Sequence, residues 1–209
     1  MIITYYGKQF FKVQLGDTVL AFNPIAKESK LKSARFGADI ALISLNDPDF
    51  NGADTVAYSS KEPFVISGPG EYETKGIFIK GFPTEGSYRK EHRINTIYMV
   101  SMENMNICFA GALQNLSALP DAVKEELDDI DVLFVPVGGD DTLSPEEAHK
   151  FATKYEARIV IPMDYDAVSL KSFLKEAGSD AVKPADKLTL KKKDIEGKEG
   201  EIVVLEAQN

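Results

Sequence analysis

Sulfur and imidazole are scarce in this chain. Among 209 residues there is one cysteine, Cys108, and there are two histidines, His92 and His149. A single cysteine excludes an intrachain disulfide and a cysteine-based zinc cluster. Ending a strand-like run beside Phe109, it reads as a buried inert thiol. His92 lies among Arg89, Lys90, Glu91 and Arg93, a solvated setting, and His149 falls on the polar face of a helix-like stretch. Two histidines so placed do not build a metal centre. Positive charge is also in deficit, with 24 Lys+Arg against 33 Asp+Glu and a net charge of -9. Such a surface repels phosphate backbones, so nucleic acid is not expected as a partner. The only dense basic run is Lys191, Lys192 and Lys193. No apolar run approaches a membrane span, and the N-terminus lacks the basic-then-apolar pattern of a secretory signal. A cytoplasmic protein with no membrane contact is therefore expected.

What is present is a strand-rich chain, 44% hydrophobic and able to fill a sizeable core. No linker or repeat interrupts it, so residues 1–209 read as one domain. Met1 to Tyr6 is β-branched and aromatic, Phe10 to Leu15 alternates as a half-buried strand, and Thr18 to Phe22 is a third strand of a meander, with Gly16-Asp17 as a hairpin turn. Asp54 to Ala57 and Phe64 to Ser67 read as short strands, and Gly68 to Tyr72 as a rigid turn. Gly76 to Phe82 is a strand, Pro83 to Arg93 a polar exposed loop, and Asn95 to Met102 and Met105 to Ala110 two more strands. The second half alternates helices with apolar strands. Ser144-Pro145-Glu146-Glu147 opens a helix with a capping box, between strands Val132 to Val137 and Arg158 to Pro162.

The informative stretch is ADIALISLNDPDFNG, Ala38 to Gly52. Its apolar half predicts a central strand buried on both faces, and its second half a carboxylate-bearing loop at that strand's C-terminal end. Other strands end in similar loops, at Pro83 to Ser87, Gly111-Ala112, Gly138 to Asp141 and Pro162 to Asp164. Loops at one end of a β scaffold often converge on a pocket.

These motifs together resemble the metallo-β-lactamase fold superfamily, in its branch of small prokaryotic hydrolase-like proteins. The resemblance rests on Phe22-Asn23-Pro24, ADIALISLNDPDFNG, GPGEYETKG, NTIYMV followed by CFAGAL, VPVGGDDTLSPEEA and IVIPMDY, and covers nearly the whole chain. It implies an α/β (α+β) fold, a four-layer αββα sandwich with the site at one rim of its sheets. It also implies a ligand motif, Thr-His-x-His-x-Asp-His, that is degenerate here. The corresponding residues run from Ser44 to Phe50, with Leu45, Asp47 and Phe50 at the histidine positions and only Asp49 retained. Gly86, Ala112 and Asp164 stand at the later histidine, bridging aspartate and last histidine positions.

A catalytic zinc takes about three protein ligands, mostly imidazole. That set is missing, so no zinc is expected. Asp47, Asp49 and Asp164 are hard oxygen donors suited to magnesium, manganese or calcium. If they converge unaided, they repel one another. Three readings follow. One is a pseudo-enzyme binding a small ligand or a protein partner, its pocket formed by Ser44, Asp47, Asp49, Gly86, Ala112, Asp140 and Asp164, with no cofactor expected. Another is a hydrolase holding a non-zinc metal on Asp47, Asp49 and Asp164, with Asp47 as ligand or general base. The third is a structural subunit of a homo-oligomer.

Overall fold

β-branched, aromatic and apolar residues in the first twenty-two positions build three antiparallel strands, β1 (Ile2–Tyr5), β2 (Phe11–Leu15) and β3 (Thr18–Phe22). One face carries Ile3, Tyr5, Phe11, Val13, Leu20 and Phe22 inward. The computed structural model describes residues 1–59 and 62–208, and only the backbone at Ala118. After the meander the chain crosses over to β4 (Ile40–Leu42), parallel to both β3 and β5 (Phe64–Ile66). The run from Ala38 to Ser44 is buried throughout, as its composition demands. Its strand is short, however, and lies next to the edge strand rather than at the centre of the sheet. The expected strand over Asp54 to Ala57 is a 3-10 turn, Ala53–Val56. Thr55 turns its hydroxyl onto the carbonyls of Gly52 and Ile25, which tightens the segment into a helical turn.

The second sheet begins with β6 (Gly70–Thr74), where a turn was expected. The Tyr72 hydroxyl donates back to the carbonyls of Gly68 and Pro69, closing the bend just before the strand. β7 (Ile77–Tyr88) and β8 (Glu91–Met102) form one long hairpin, so the expected loop from Pro83 to Arg93 is strand on both sides of a tight turn. Its polar residues hid the pattern: Thr84 and Tyr88 are buried while Pro83 and Glu85 are exposed. β9 (Met105–Phe109), α1 (Asp121–Glu126), β10 (Val132–Pro136), α2 (Pro145–Lys154), β11 (Ile159–Met163) and α3 (Ala167–Glu176) follow. The capping box of α2 forms as expected, Ser144 Oγ accepting from the Glu147 N–H. β12 (Leu188–Thr189), the short helix α4 (Lys192–Ile195) and β13 (Glu201–Ile202) complete the chain.

Two mixed sheets result, in strand orders β12-β1-β2-β3-β4-β5 and β13-β11-β10-β9-β8-β7-β6. They pack face to face around one apolar core. The outer face of the second sheet is covered by α1, α2 and α3 through Val123, Phe151 and Phe173. Over the first sheet the covering layer is reduced to the 3-10 turn and the irregular segment around Ala34 and Phe36, which pack near Ala21 and Ala41. This is the αββα sandwich with a thin outer layer on one side. Lys192, from the basic run, donates to both carboxylate oxygens of the buried Asp131, so that run is partly spent on the fold. Among the described residues no helix is long and apolar enough to cross a membrane.

Phe134 sits where the sheets meet, its ring centroid 4.6 Å from Phe11, 5.7 Å from Phe109 and 5.9 Å from Phe22. Truncation leaves a cavity that neighbours on two rigid sheets cannot fill. We expect Phe134→Ala to lower stability by about 3–5 kcal/mol in chemical denaturation, with an unchanged denaturant slope.

Candidate functional site

The rim is assembled from the ends of strands in both sheets. Ser44, at the end of the buried run, exchanges two hydrogen bonds with Asn23: its N–H donates to Oδ1 at 2.7 Å, and Asn23 Nδ2 donates to Ser44 Oγ at 2.8 Å. Asn23 also donates to Gln9 Oε1, and Gln9 Nε2 donates to Asp164 Oδ2 at 2.8 Å. A buried polar chain thus crosses from β4 to the loop after β11. Asn23 and Asp164 both take left-handed backbone conformations, with φ of 45° and 54°. Asn and Asp tolerate that region better than other side chains with a Cβ. The two sheets are tied together here as well, since the Thr96 N–H donates to the Ser44 carbonyl at 2.8 Å.

Three expected carboxylates reach this rim, each buried and each met by a cation or a polar donor. Asp164 Oδ1 accepts from Lys8 Nζ at 2.5 Å. Asp49 Oδ2 accepts from Arg89 Nη2 at 2.5 Å and from the Tyr88 hydroxyl at 2.9 Å, while its Oδ1 accepts from Ser29 Oγ. Asp47 Oδ1 lies 3.7 Å from Arg89 Nη1 and accepts the Asp49 N–H. Lys8 Nζ also stands 5.5 Å from the Tyr88 ring centroid and 5.9 Å from that of Phe50, within range for cation–π attraction. The expected mutual repulsion of the carboxylates is therefore countered by Lys8 and Arg89. Burial, the bond to Asp49 and that carboxylate's charge all push the Tyr88 phenol above its usual range. Burial pulls the Arg89 guanidinium down, but the charges of Asp49 and Asp47 outweigh it and hold it above its ordinary value.

The other expected positions are hydrocarbon or lie off the pocket. Leu45, Phe50 and Ala112 form a buried apolar cluster with Tyr88. Gly86 lies within β7 and faces Gln114; a Cβ there would meet Gln114 Oε1 at 3.2 Å, away from the carboxylates. Ser44 is buried in the polar chain beneath the rim. Asp140 does border a cavity of about 280 Å³, with Lys8, Asp141, Thr142, Asp164 and Tyr165. Its neighbour Asp141 accepts the Arg89 N–H at 3.3 Å. Close backbone approach makes this convergence geometrically demanding. A Cβ on Gly111, whose φ is +59°, would lie 2.4 Å from Asn95 Oδ1 and 2.6 Å from Ser44 Oγ. His149 lies elsewhere, on a larger cavity of about 660 Å³ beside β13.

Lys8, Tyr88 and Arg89 were not singled out from sequence. Lys8 follows Gly7 in a turn between two strands, and Arg89 sits in what reads as a solvated charged run. Neither carries a local signal, because each acquires its partner from a segment distant in the chain. Asn23 was at hand in Phe22-Asn23-Pro24 as a strand stop.

The donor set does not suit a metal ion. Among the described residues no group of three or more His, Cys, Asp or Glu side chains is arranged to hold one. Asp49 and Asp164 have both oxygens engaged by protein donors, and Leu45, Phe50 and Ala112, which stand where the family resemblance implies ligands, are packed in an apolar cluster.

A family model described as the beta-lactamase superfamily domain matches residues 2–164. A UPF0173 metal-dependent hydrolase from Bacillus cereus is 25% identical over 196 residues, spanning 79% of this chain and 86% of that protein. A protein of the same description from Listeria monocytogenes is 24% identical over 201 residues, 81% of this chain and 87% of its own. A crystal structure from Thermotoga maritima, described as a candidate Zn-dependent hydrolase of the metallo-beta-lactamase superfamily, matches with a TM-score of 0.79 and 28% identity over 99% of each chain. A candidate metal-dependent hydrolase from Parabacteroides distasonis, 18% identical over 99% of this chain and 93% of its own, has the same fold with a TM-score of 0.68.

Burial raises the phenols of Tyr5, Tyr88 and Tyr98 above their ordinary range. In the unfolded chain they ionise near pH 10, so above that pH the unfolded state binds fewer protons than the folded one. Stability from these groups is therefore full below about pH 10 and falls as pH rises beyond it. Denaturation midpoints measured from pH 8 to 11 should show this fall. Tyr88→Phe should flatten part of it while lowering stability at pH 8, where the bond to Asp49 is lost.

Proposed function

The chain belongs to the beta-lactamase superfamily domain family, a family of metal-dependent hydrolases, and from that premise we propose that it is a pseudo-enzyme, the hydrolase fold retained to bind a small ligand or a protein partner. One observation carries this reading. Where a hydrolase of the family needs metal cations, this chain brings Lys8 and Arg89, and they engage Asp164 and Asp49 directly. A side-chain cation neutralises a buried carboxylate but offers no open coordination position, so it generates no activated water. The apolar filling by Leu45, Phe50 and Ala112 supports the same conclusion, because a dry hydrocarbon wall neither ligates a metal nor solvates a hydroxide.

A hydrolase with magnesium, manganese or calcium on Asp47, Asp49 and Asp164 would require those oxygens to turn to one point. Their bonds to Lys8, Gln9, Ser29, Tyr88 and Arg89 weigh against it. The net charge of -9 argues against nucleic acid as the partner, and we read the chain as one cytoplasmic domain.

Metal content and thermal stability test the proposal together. A metal bound only by the folded state at a hundred times its Kd adds about 2.7 kcal/mol of stability. The purified protein is expected to hold no stoichiometric zinc, manganese or iron. Millimolar zinc, manganese, magnesium or calcium should leave its melting temperature unchanged. An ion retained at about one per chain and lost in Asp49→Asn would sink the pseudo-enzyme reading.

A further inference from the structure

We propose that the tip of the β7–β8 hairpin, Tyr88-Arg89, is an internal stand-in for the ligand, and that the site beneath it takes a cationic group joined to an aromatic or apolar body. The inference rests on the binding-protein reading of this rim and names the ligand chemistry that reading leaves open.

The hairpin is built as an arm. β6 pairs with β7 only from Ile77 to Gly81, and β9 pairs with β8 only from Tyr98 to Met102. Between Phe82 and Ile97 the two strands pair only with each other in the sheet ladder. A two-stranded hairpin alone is marginal in water, so contacts beyond the ladder hold it down. At the base these are Asn95, which receives the Ala112 N–H, and Thr96, which donates to Ser44. At the tip they are Ser87 on Gln114, Tyr88 and Arg89 on Asp49, and the Arg89 N–H on Asp141.

The turn itself is unfavourable. Arg89 and Lys90 both occupy the left-handed region, with φ of 52° and 65°, at positions that hairpins fill with Asn or Gly. Nothing local favours Arg-Lys there, so the tip contacts oppose the turn's own preference. Those contacts have the form of a bound ligand. The Tyr88 ring completes the apolar cluster of Leu45, Phe50 and Ala112 and packs edge-on against Phe50, centroids 5.0 Å apart. Its hydroxyl and the guanidinium beside it meet one buried carboxylate, while more than half of the Arg89 side chain stays in solvent. Lifting the tip uncovers an apolar floor flanked by Asp47 and Asp49. That surface is complementary to the chemistry of Tyr-Arg and to any amine or guanidine carrying a flat apolar body.

The test removes the tip and supplies its chemistry in trans. In the full chain, Tyr88→Gly/Arg89→Gly keeps a residue at 89 that accepts the left-handed turn. The probe is N-acetyl-Tyr-Arg-amide, titrated by calorimetry. A closed tip reduces apparent affinity by the fraction of open molecules, so the double variant should bind about tenfold or more tighter than wild type. Adding Asp49→Asn should abolish that gain, and N-acetyl-Tyr-Glu-amide should not bind. A folded double variant that binds the probe no better than wild type, or as well after Asp49→Asn, overturns the inference. If the double variant fails to fold, hydrogen exchange of Arg89→Gln decides. Faster exchange confined to Ser87 to Arg93 supports the latch, and unchanged exchange there refutes it. Stoichiometric metal in wild type would overturn the pseudo-enzyme reading, whereas absent probe binding by a metal-free protein would overturn this inference alone.

Discussion

Buried carboxylates need compensation, and at this rim the compensation comes from the chain itself. Asp47, Asp49 and Asp164 are all nearly excluded from solvent. Leaving a carboxylate there without a partner would be among the most costly arrangements a fold can hold. Lys8 and Arg89 resolve that problem, the first from the turn after β1 and the second from a hairpin tip in the other sheet. Because the two cations come from opposite sheets, neutralising the rim also clamps the sandwich shut at that end. On the pseudo-enzyme reading proposed above, the ammonium and the guanidinium fill the electrostatic role of a metal but supply no exchangeable water.

The polar chain from Ser44 through Asn23 and Gln9 to Asp164 is the second support. Every link is satisfied, so the chain stiffens the loop ends rather than weakening them. Two of its members hold backbone conformations that most residues avoid, and Gly111 is pressed against Ser44 and Asn95 at distances that admit no side chain. Strain of this sort persists only where surroundings over-determine it. Left-handed residues also occupy turns elsewhere, at Lys75, Glu103 and Asn104, but at this rim Asn23 and Asp164 combine that backbone with buried, hydrogen-bonded side chains.

Where periodicity and end signals agreed, the chain could be read directly. Phe10 to Leu15 alternates Phe11, Val13 and Leu15 against Lys12 and Gln14, and Ser144-Pro145-Glu146-Glu147 is a capping box that forms as written. Where polar residues carried the alternation, the reading failed. Pro83 to Arg93 has too little hydrocarbon to look like strand, yet its pairing from Phe82 to Ile97 is continuous. Asp54 to Ala57 went the other way, since the hydroxyl of Thr55 bends an apolar snippet into a helical turn.

The two-sheet sandwich and the ligand positions without histidine were what the family resemblance implied. By itself the sequence determined the strand-rich first half, the buried run Ala38 to Ser44 and the capping box that opens α2. Each of these depends on residue type and spacing along the chain, and none requires knowing a distant neighbour. Only the tertiary structure decided what became of the carboxylates. Lys8 and Asp164 are 156 residues apart, and Arg89 and Asp49 are 40 apart. No local pattern encodes such pairings; the fold creates them by bringing a β-turn, a hairpin tip and two loops to one rim. The physical reason is the range of the forces involved. Hydrophobic periodicity acts through neighbours two to four residues along and is visible in one dimension, whereas an ion pair joins whichever charges the fold brings within a few ångströms.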